Sequence, residues 1–360
     1  MAETTARAGL TPQQWDDKFF MEYVRESRFK RYMGTNENSI IQLKEDLTRK
    51  KGDKITFANV RKLAGAGVTG NSTLEGNEEE LDSRSMAVTV APLRHAVVQT
   101  EWDEQKSVID LRNASKTALK LWSMEKMRDA IITALGSING VAYASATESE
   151  KDAWLVDNAD RVLFGAAVGN NSANDHSASL SNIDSTSDTL STDIISLAKR
   201  RAQLASPAIK PIRLNEDEEW YVMFANSLAF RDFTKSTAYQ QARRDALERG
   251  KDNPLFTGGA AVWDGVIIRE IPEIAVIAGV GASSIDVAPN YLVGAQALGI
   301  GWAQRTRSTT NVRDYGYRHG VGIQEMRGIE KLLFGKGTGD TDDLVQHGVV
   351  TIFAAGVADA

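Results

Sequence analysis

The chain has 360 residues, 42 of them basic and 48 acidic, which gives a formal net charge of −6 at pH 7. This charge argues against a strongly cationic nucleic-acid binder and against a polybasic membrane binder. Cysteine is absent, which excludes disulfide scaffolds, cysteine-ligated zinc, iron–sulfur clusters and thiol nucleophiles.

The sequence shows neither a secretory signal nor an apolar run of membrane-spanning length. Its first residues lack the apolar core of a signal peptide. The most apolar stretch, residues 271–287, is interrupted by Pro272, Glu273 and Asp286. We therefore expect a soluble protein that is made in a cytoplasm and has no membrane partner.

Residues 1–53 are predicted to form an arm that begins with an amphipathic helix. A capping sequence at residues 11–14 precedes aromatic residues at helical spacing, namely Trp15, Phe19 and Tyr23. Such a stripe cannot be buried by one helix alone, so we expect it to dock on the body of the chain or on a neighbour. A charged stretch with Arg28 and Arg31 follows, and it suits either a partner or solvent.

Residues 54–101 are predicted to form an extended hairpin. Segments 54–63 and 86–100 are typical of strands, because apolar residues alternate in them. The glycine-rich tip between them, about 20 residues long, has the length of a functional loop. The tip residues Glu78, Glu79 and Glu80 fit either an electrostatic contact with a partner or simple exposure to solvent.

Residues 103–138 carry the longest helical pattern of the chain, with an apolar stripe that no proline interrupts. A helix over this range would be roughly 54 Å long. The helix is therefore expected to form an elongated backbone in a flattened subunit.

The remaining segments are predicted as a polar surface loop at residues 170–193 and then an alternation of short elements. Helices are expected at 192–205, 236–250 and 291–303. Strands are expected at 220–228, 264–271, 275–280, 284–288, 315–334 and 347–357.

No pattern for catalysis, a cofactor or a metal is complete. The segment FGKGTGD (334–340) resembles a phosphate-binding loop but lacks its spacing and its following helix, so a plain loop between strands is expected. The acidic run at 339–343 lacks the calcium-loop alternation. No histidine has a partner at ligand spacing, and the motif G-x-S-x-G does not occur. We therefore predict no catalytic, cofactor-binding or metal-binding residues.

The order of arm, long hairpin, long helix, interrupted α/β region and returning strands resembles the major capsid proteins of tailed bacteriophages, which have the Hong Kong 97 fold. Nine motifs resemble more narrowly the capsid proteins typified by phage N4. They are GDKITF (52–57), LEGNEEEL (74–81), RHAV (94–97), NPLFTG (253–258), WDGVIIRE (263–270), VGAQAL (293–298), DYGYRHGVGI (314–323), RGIEKLLF (327–334) and HGVVTI (347–352).

This resemblance implies an α+β fold with four parts. Residues 1–53 would be an N-terminal arm that crosses a neighbour, and 54–101 an extended loop over another subunit. Residues 102–140, with a long spine helix, and 305–360 would form a peripheral domain. Residues 141–304 would form an axial domain, whose polar loop at 170–193 would lie near a capsomer centre or on the outer surface.

The resemblance also implies the partners and the place of action. The chain would assemble with itself into hexamers and pentamers of an icosahedral head, in the host cytoplasm. It would work with a separate scaffolding protein, a portal and a possible decoration protein, and it would touch packaged double-stranded DNA only weakly and without sequence preference.

The predicted function is thus structural, with inter-subunit contacts at residues of the arm and the hairpin: Trp15, Phe19, Tyr23, Arg28, Arg31, Glu78, Glu79, Glu80 and Arg84. Two alternatives stay open at this point. One is the shell of an encapsulin-like cellular compartment, and the other is an α+β enzyme whose site has no recognised motif.

Overall fold

The computed structural model describes residues 29–45, 47, 52–63, 65–71, 73–107, 109–213, 218–247 and 261–358. Contacts between Cα atoms divide the chain into two compact units. Among the described residues, the smaller unit contains Pro92–Arg128 and Gln304–Met326. The larger unit contains Phe29–Ala91, Asp129–Ala303 and the chain from Arg327 onward.

The described helices and strands follow in chain order. The helices are α1 (Glu101–Lys106), α2 (Leu111–Gly136), α3 (Glu148–Asp157), α4 (His176–Ser181), α5 (Thr192–Leu204), α6 (Ser227–Lys235) and α7 (Thr237–Leu247). The strands are β1 (Met33–Gly34), β2 (Ile41–Lys44), β3 (Lys54–Val60), β4 (Ser83–Thr89), β5 (Ala91–Thr100), β6 (Val162–Phe164), β7 (Ile212–Arg213), β8 (Glu219–Ala225), β9 (Ala261–Trp263), β10 (Val266–Glu270), β11 (Val287–Val293), β12 (Leu298–Arg313), β13 (Arg318–Lys331), β14 (Leu333–Gly335), β15 (Leu344–Gln346) and β16 (Val349–Ala355). No helix in the described part is both long and apolar enough to cross a membrane.

The core of the larger unit is a seven-stranded mixed sheet in the order β6-β16-β11-β8-β10-β9, with β7 beside β8. Strands β11 and β16 pair antiparallel along their whole length, and every residue in both is buried. Helix α5 begins at the Ser191 cap and presents Ile194, Ile195 and Ala198 to this core. The strands lie inside the unit, which explains their nearly continuous apolar sequences.

The predicted helix at 291–303 is wrong, because this stretch belongs to strands β11 and β12. Short apolar runs fit a buried strand as well as a buried helix, so periodicity could not separate the two. The glycines of this stretch serve close packing. A Cβ on Gly299 would lie 2.9 Å from the Phe57 ring, and one on Gly301 would lie 2.8 Å from Ile55.

Two further assignments differ from the prediction. Residues 275–280 form no strand and contribute only an isolated bridge between Ile277 and Val287. The predicted strand at 220–228 ends at Ala225, because Asn226 caps a helix, α6, that the sequence pattern did not indicate. The predicted helix at 236–250 is observed as α7, and residues 248–260 lie outside the described residues.

The long helix exists but is shorter than predicted. The expected helix at 103–138 is divided into α1 and the 26-residue α2, which spans roughly 39 Å. The break lies at Ser107, whose backbone is extended. Asp110 then starts α2, since its carboxylate accepts a 2.9 Å hydrogen bond from the Asn113 N–H. This polar cap interrupts a pattern that apolar periodicity alone reads as continuous.

The predicted hairpin is confirmed in β3 and β4, which pair antiparallel from Lys54 opposite Thr89 to Val60 opposite Ser83. Ile55, Phe57 and Val88 are buried against Leu332 and Phe334. The predicted strand at 86–100 is nevertheless two strands. Strand β4 ends at Thr89, and β5 is a neighbour of β13 in a different sheet.

The polar segment at 170–193 is not the plain surface loop that its composition indicates. It contains α4, whose N-cap is Asp175, and several buried side chains. Buried Asp188 accepts hydrogen bonds from the Ala166 N–H at 2.7 Å and from the Asp184 N–H at 3.0 Å. Short polar residues here cap and close turns, which a compositional argument cannot detect.

Candidate functional site

The hairpin tip, residues 61–82, is an acidic surface that also exposes leucines. The Glu78 carboxylate accepts a 2.7 Å hydrogen bond from the Gly76 N–H, and Glu79 accepts one of the same length from the Gly65 N–H. Leu74 is 64% exposed and Leu81 is 65% exposed. Exposed apolar side chains on a protruding hairpin are typical of a surface that a partner covers.

The tip-side ends of β3 and β4 are held by the glycine-rich loop that joins β14 to β15. Asp82 bridges Arg61 at 3.0 Å and Arg84 at 2.5 Å. Arg84 also donates to the Gly337 carbonyl at 2.9 Å, and the Ser85 hydroxyl donates to Asp340 at 2.8 Å. The Ser85 hydrogen bonds lower the pKa of the Asp340 carboxyl. The segment that resembles a phosphate-binding loop is therefore a strand connection that holds the hairpin.

The predicted contact residues differ in their surroundings. Four of them lie outside the described residues: Trp15, Phe19, Tyr23 and Arg28. Arg31 is exposed, and its guanidinium lies 5.7 Å from the centroid of the Tyr32 ring. The tip glutamates are exposed, whereas Arg84 is bound within the same chain to Asp82 and to the Gly337 carbonyl. Their roles between subunits stay predictions.

A buried polar cluster joins five segments of the larger unit. The Lys331 ammonium donates to the Gln346 side-chain oxygen at 2.7 Å and to the Leu135 carbonyl at 3.2 Å. The Arg161 guanidinium donates to the carbonyls of Gln346 and Pro207. Sequence reasoning missed this cluster, because its members are far apart in the chain and match no motif. Since both cations are buried and bond mostly to carbonyls, the cluster serves the fold.

Complete burial lowers the pKa of Lys331 from 10.5 to about 7. Between pH 7 and 10.5 the unfolded chain binds a proton at this lysine that the folded chain has lost. The free energy of unfolding should therefore rise with pH across this window, by at most about 1.4 kcal/mol per pH unit from this group. Lys331→Met should flatten the rise, measured by urea unfolding at pH 7, 8, 9 and 10.

Lys126→Met is the matched control, because Lys126 is exposed. Its stability profile should run parallel to that of the wild type. A parallel profile for Lys331→Met as well would contradict the low pKa of the buried lysine.

Glu148, Asp152 and Asp175 place carboxylate oxygens within 4.8 Å of one another, as metal ligands would lie. All three carboxylates have structural partners, and Glu148 lies 3.6 Å from the Lys151 ammonium. Asp152 accepts a 2.8 Å hydrogen bond from the His176 N–H, and Asp175 accepts one of the same length from the Ala178 N–H at the start of α4. Burial lowers the pKa of His176, which favours the neutral ring. We therefore interpret these carboxylates as groups that join the N-terminal parts of α3 and α4, and not as metal ligands.

Comparison with known proteins gives a consistent result over the whole chain. A family model described as phage capsid protein matches residues 3–358. The major capsid protein of Pseudomonas phage KPP25 is 28% identical over 97% of this chain and 96% of its own length.

Solved capsid structures share the fold. The chain in the capsid asymmetric unit of cyanophage Pam1 is 34% identical, and the match covers 100% of both chains with a TM-score of 0.87. The chain in the capsid of Ralstonia phage GP4 is 22% identical, again with 100% of both chains covered, and its TM-score is 0.77.

The resemblance inferred from the sequence is confirmed at the level of the family and of the α+β capsid fold, which is of the Hong Kong 97 type. The narrower likeness to phage N4 and its relatives stays a prediction. The enzyme hypothesis is not supported, because the matching family and the relatives are structural capsid proteins. The chain belongs to the phage capsid protein family.

Proposed function

We propose that this chain is the main building block of a tailed-phage head, in which copies form the hexamers and pentamers of an icosahedral shell around double-stranded DNA. The observation that carries the proposal is the end-to-end match to the chain of the Pam1 capsid asymmetric unit, at 34% identity. A match of this extent covers the arm, hairpin and sheet regions together.

We assign the parts of the chain as the sequence resemblance implies. Residues 1–53 are the arm, 54–101 the extended loop, 102–140 and 305–360 the peripheral domain, and 141–304 the axial domain. Two features support this assignment. The paired strands β3 and β4 carry a long exposed tip, and the smaller unit combines segments that are distant in sequence.

The proposed partners are a separate scaffolding protein, a portal, a possible decoration protein and the packaged DNA, with assembly in the host cytoplasm. The net charge of −6 supports weak contact with DNA. A strongly cationic inner wall would hold the genome through counterion release and would hinder its packaging and ejection.

A cellular compartment of the encapsulin type is the second candidate, because it would need the same kind of shell subunit. The gene neighbourhood distinguishes the two. Portal and terminase genes favour the phage head, whereas an enzyme with a C-terminal cargo tag favours the compartment.

The test is size-exclusion chromatography with light scattering on the recombinant chain, alone and co-expressed with the other head genes of its genome, followed by negative-stain imaging. We expect shells or capsomer-sized rings, whose masses are large multiples of the 39.3 kDa subunit. A 39.3 kDa monomer under every condition would overturn the proposal.

A further inference from the structure

The larger unit contains a cavity beside its central sheet, with a volume of about 650 Å³. The walls come from the C-terminal end of α2, the segments 142–144 and 274–278, helix α3 and strands β11 and β16. All of these lining residues belong to the larger unit. Pockets for small organic ligands commonly measure about 300–1,000 Å³. The cavity therefore has the size of a ligand site.

The lining is mostly apolar and rich in aromatic rings. Four of the lining residues are aromatic, namely Tyr143, Trp154, Tyr291 and Phe353. Trp154 and Phe353 are each 1% exposed, so the surrounding core fixes the position of their rings. The ring centroids of Tyr143 and Phe353 are 6.2 Å apart. Fixed aromatic surfaces of this kind suit the apolar body of a small molecule.

One positive charge lies in this apolar surrounding. Lys151 is the only charged residue among the lining residues that the structure describes, and none of these residues is acidic. Its ammonium group lies 4.8 Å from the centroid of the Tyr143 ring. The nearest carboxylate, that of Glu148, is 3.6 Å away and 45% exposed. A long ion pair that is open to solvent is weak, so the ammonium group can bind an anionic ligand.

The other polar groups of the lining are compatible with an anion. Burial raises the pKa of the Tyr143 and Tyr291 hydroxyls, so both stay neutral and add no negative charge. Trp154 Nε1 and Thr351 Oγ1 are buried and have no hydrogen-bond partner among the described residues. Most buried polar groups in proteins are hydrogen-bonded. These two unpaired groups in the cavity wall therefore point to a ligand that can accept hydrogen bonds.

We infer that this cavity binds a small amphipathic anion, whose apolar body lies against the aromatic rings and whose carboxylate pairs with Lys151. A cationic ligand would be repelled by Lys151 and would find no carboxylate in the lining. The inference goes beyond the proposed function and does not depend on it, because a single subunit supplies the whole site.

The test is isothermal titration calorimetry of the full-length subunit with 2-naphthoate at pH 7. We expect saturable binding at one site per chain. The uncharged 2-naphthamide has the same ring system, so its affinity should be about fivefold lower or less, because it lacks the ion pair with Lys151. Bound 2-naphthoate should also raise the unfolding temperature of the subunit, since it binds the folded state alone.

Two variants locate the site. Lys151→Met should weaken 2-naphthoate binding about fivefold, whereas Lys151→Arg should keep the affinity within about twofold because it retains the charge. Lys126→Met is the control, since Lys126 is exposed and outside the lining. Ala275→Phe places a ring in the cavity from its exposed rim and should weaken binding about tenfold or more.

Ala153→Phe is the matched control for Ala275→Phe, because Ala153 is exposed on α3 and does not line the cavity. It should bind 2-naphthoate as the wild type does. Circular dichroism of each variant separates loss of binding from failure to fold. If Ala275→Phe does not fold, the comparison of Lys151→Met with Lys151→Arg still tests the site.

Three outcomes would overturn the inference. Absence of saturable 2-naphthoate binding to the wild type would show that the cavity is not a site for such an anion. Wild-type affinity in Lys151→Met, or equal affinity for 2-naphthamide, would exclude the ion pair. Wild-type affinity in folded Ala275→Phe would place the bound molecule elsewhere. None of these readouts requires particles, so failure of this inference is distinguishable from failure of the proposed function.

Discussion

Replacement of residues 63–80 by the dipeptide Asn-Gly should abolish closed particles while leaving a folded subunit. Strands β3 and β4 would then be joined by a tight hairpin turn, for which Asn-Gly is the preferred sequence. Asp82 is retained, so its ion pairs with Arg61 and Arg84 persist. The described tip packs little, whereas Ile55 and Phe57 hold the hairpin base in the core. Circular dichroism and particle counts by negative stain measure the two effects.

A second variant separates the length of the tip from its chemistry. Here residues 63–80 are replaced by a glycine-serine segment of equal length. We expect it to fail in assembly as well, because Leu74 and the glutamates are lost. Normal particles from the Asn-Gly variant would contradict any role of the tip in assembly. Normal particles from the glycine-serine variant alone would show that assembly needs the length of the tip but not its side chains.

Arg161→Ala should lower the free energy of unfolding by about 2–4 kcal/mol, because the buried Gln346 carbonyl and the partly buried Pro207 carbonyl lose their donor. The guanidinium is fully buried and donates to the carbonyls of Gln346 and Pro207. Arg161 directly precedes β6, and Gln346 ends β15, so the loss would loosen the connection between these strands. Urea unfolding of the unassembled subunit measures the change.

Arg200→Ala provides the control, because Arg200 lies exposed on α5. Its effect should stay within about 0.5 kcal/mol. Arg161→Lys should fall between the two, since an ammonium group cannot match the planar donor set of a guanidinium. A change below about 0.5 kcal/mol in Arg161→Ala would mean that water or other donors satisfy the two carbonyls.

The sequence by itself determined those elements whose signal is local. The hairpin strands β3 and β4 follow from alternation, since Ile55 and Phe57 are buried while their neighbours are exposed. Helix α5 follows from its cap at Ser191 and its apolar spacing. The capsid family was also accessible, because nine short motifs keep their order along the chain.

Only the tertiary structure decided the features that depend on distant residues. Apolar residues 291–303 became strand instead of helix because β16 and β2 offer edges for pairing, and because Gly299 and Gly301 let the β3 side chains approach closely. The partners of Lys331 and of Arg161 come from segments that share no motif. A burial pattern is periodic in the sequence, but a buried polar cluster depends on which elements pack side by side.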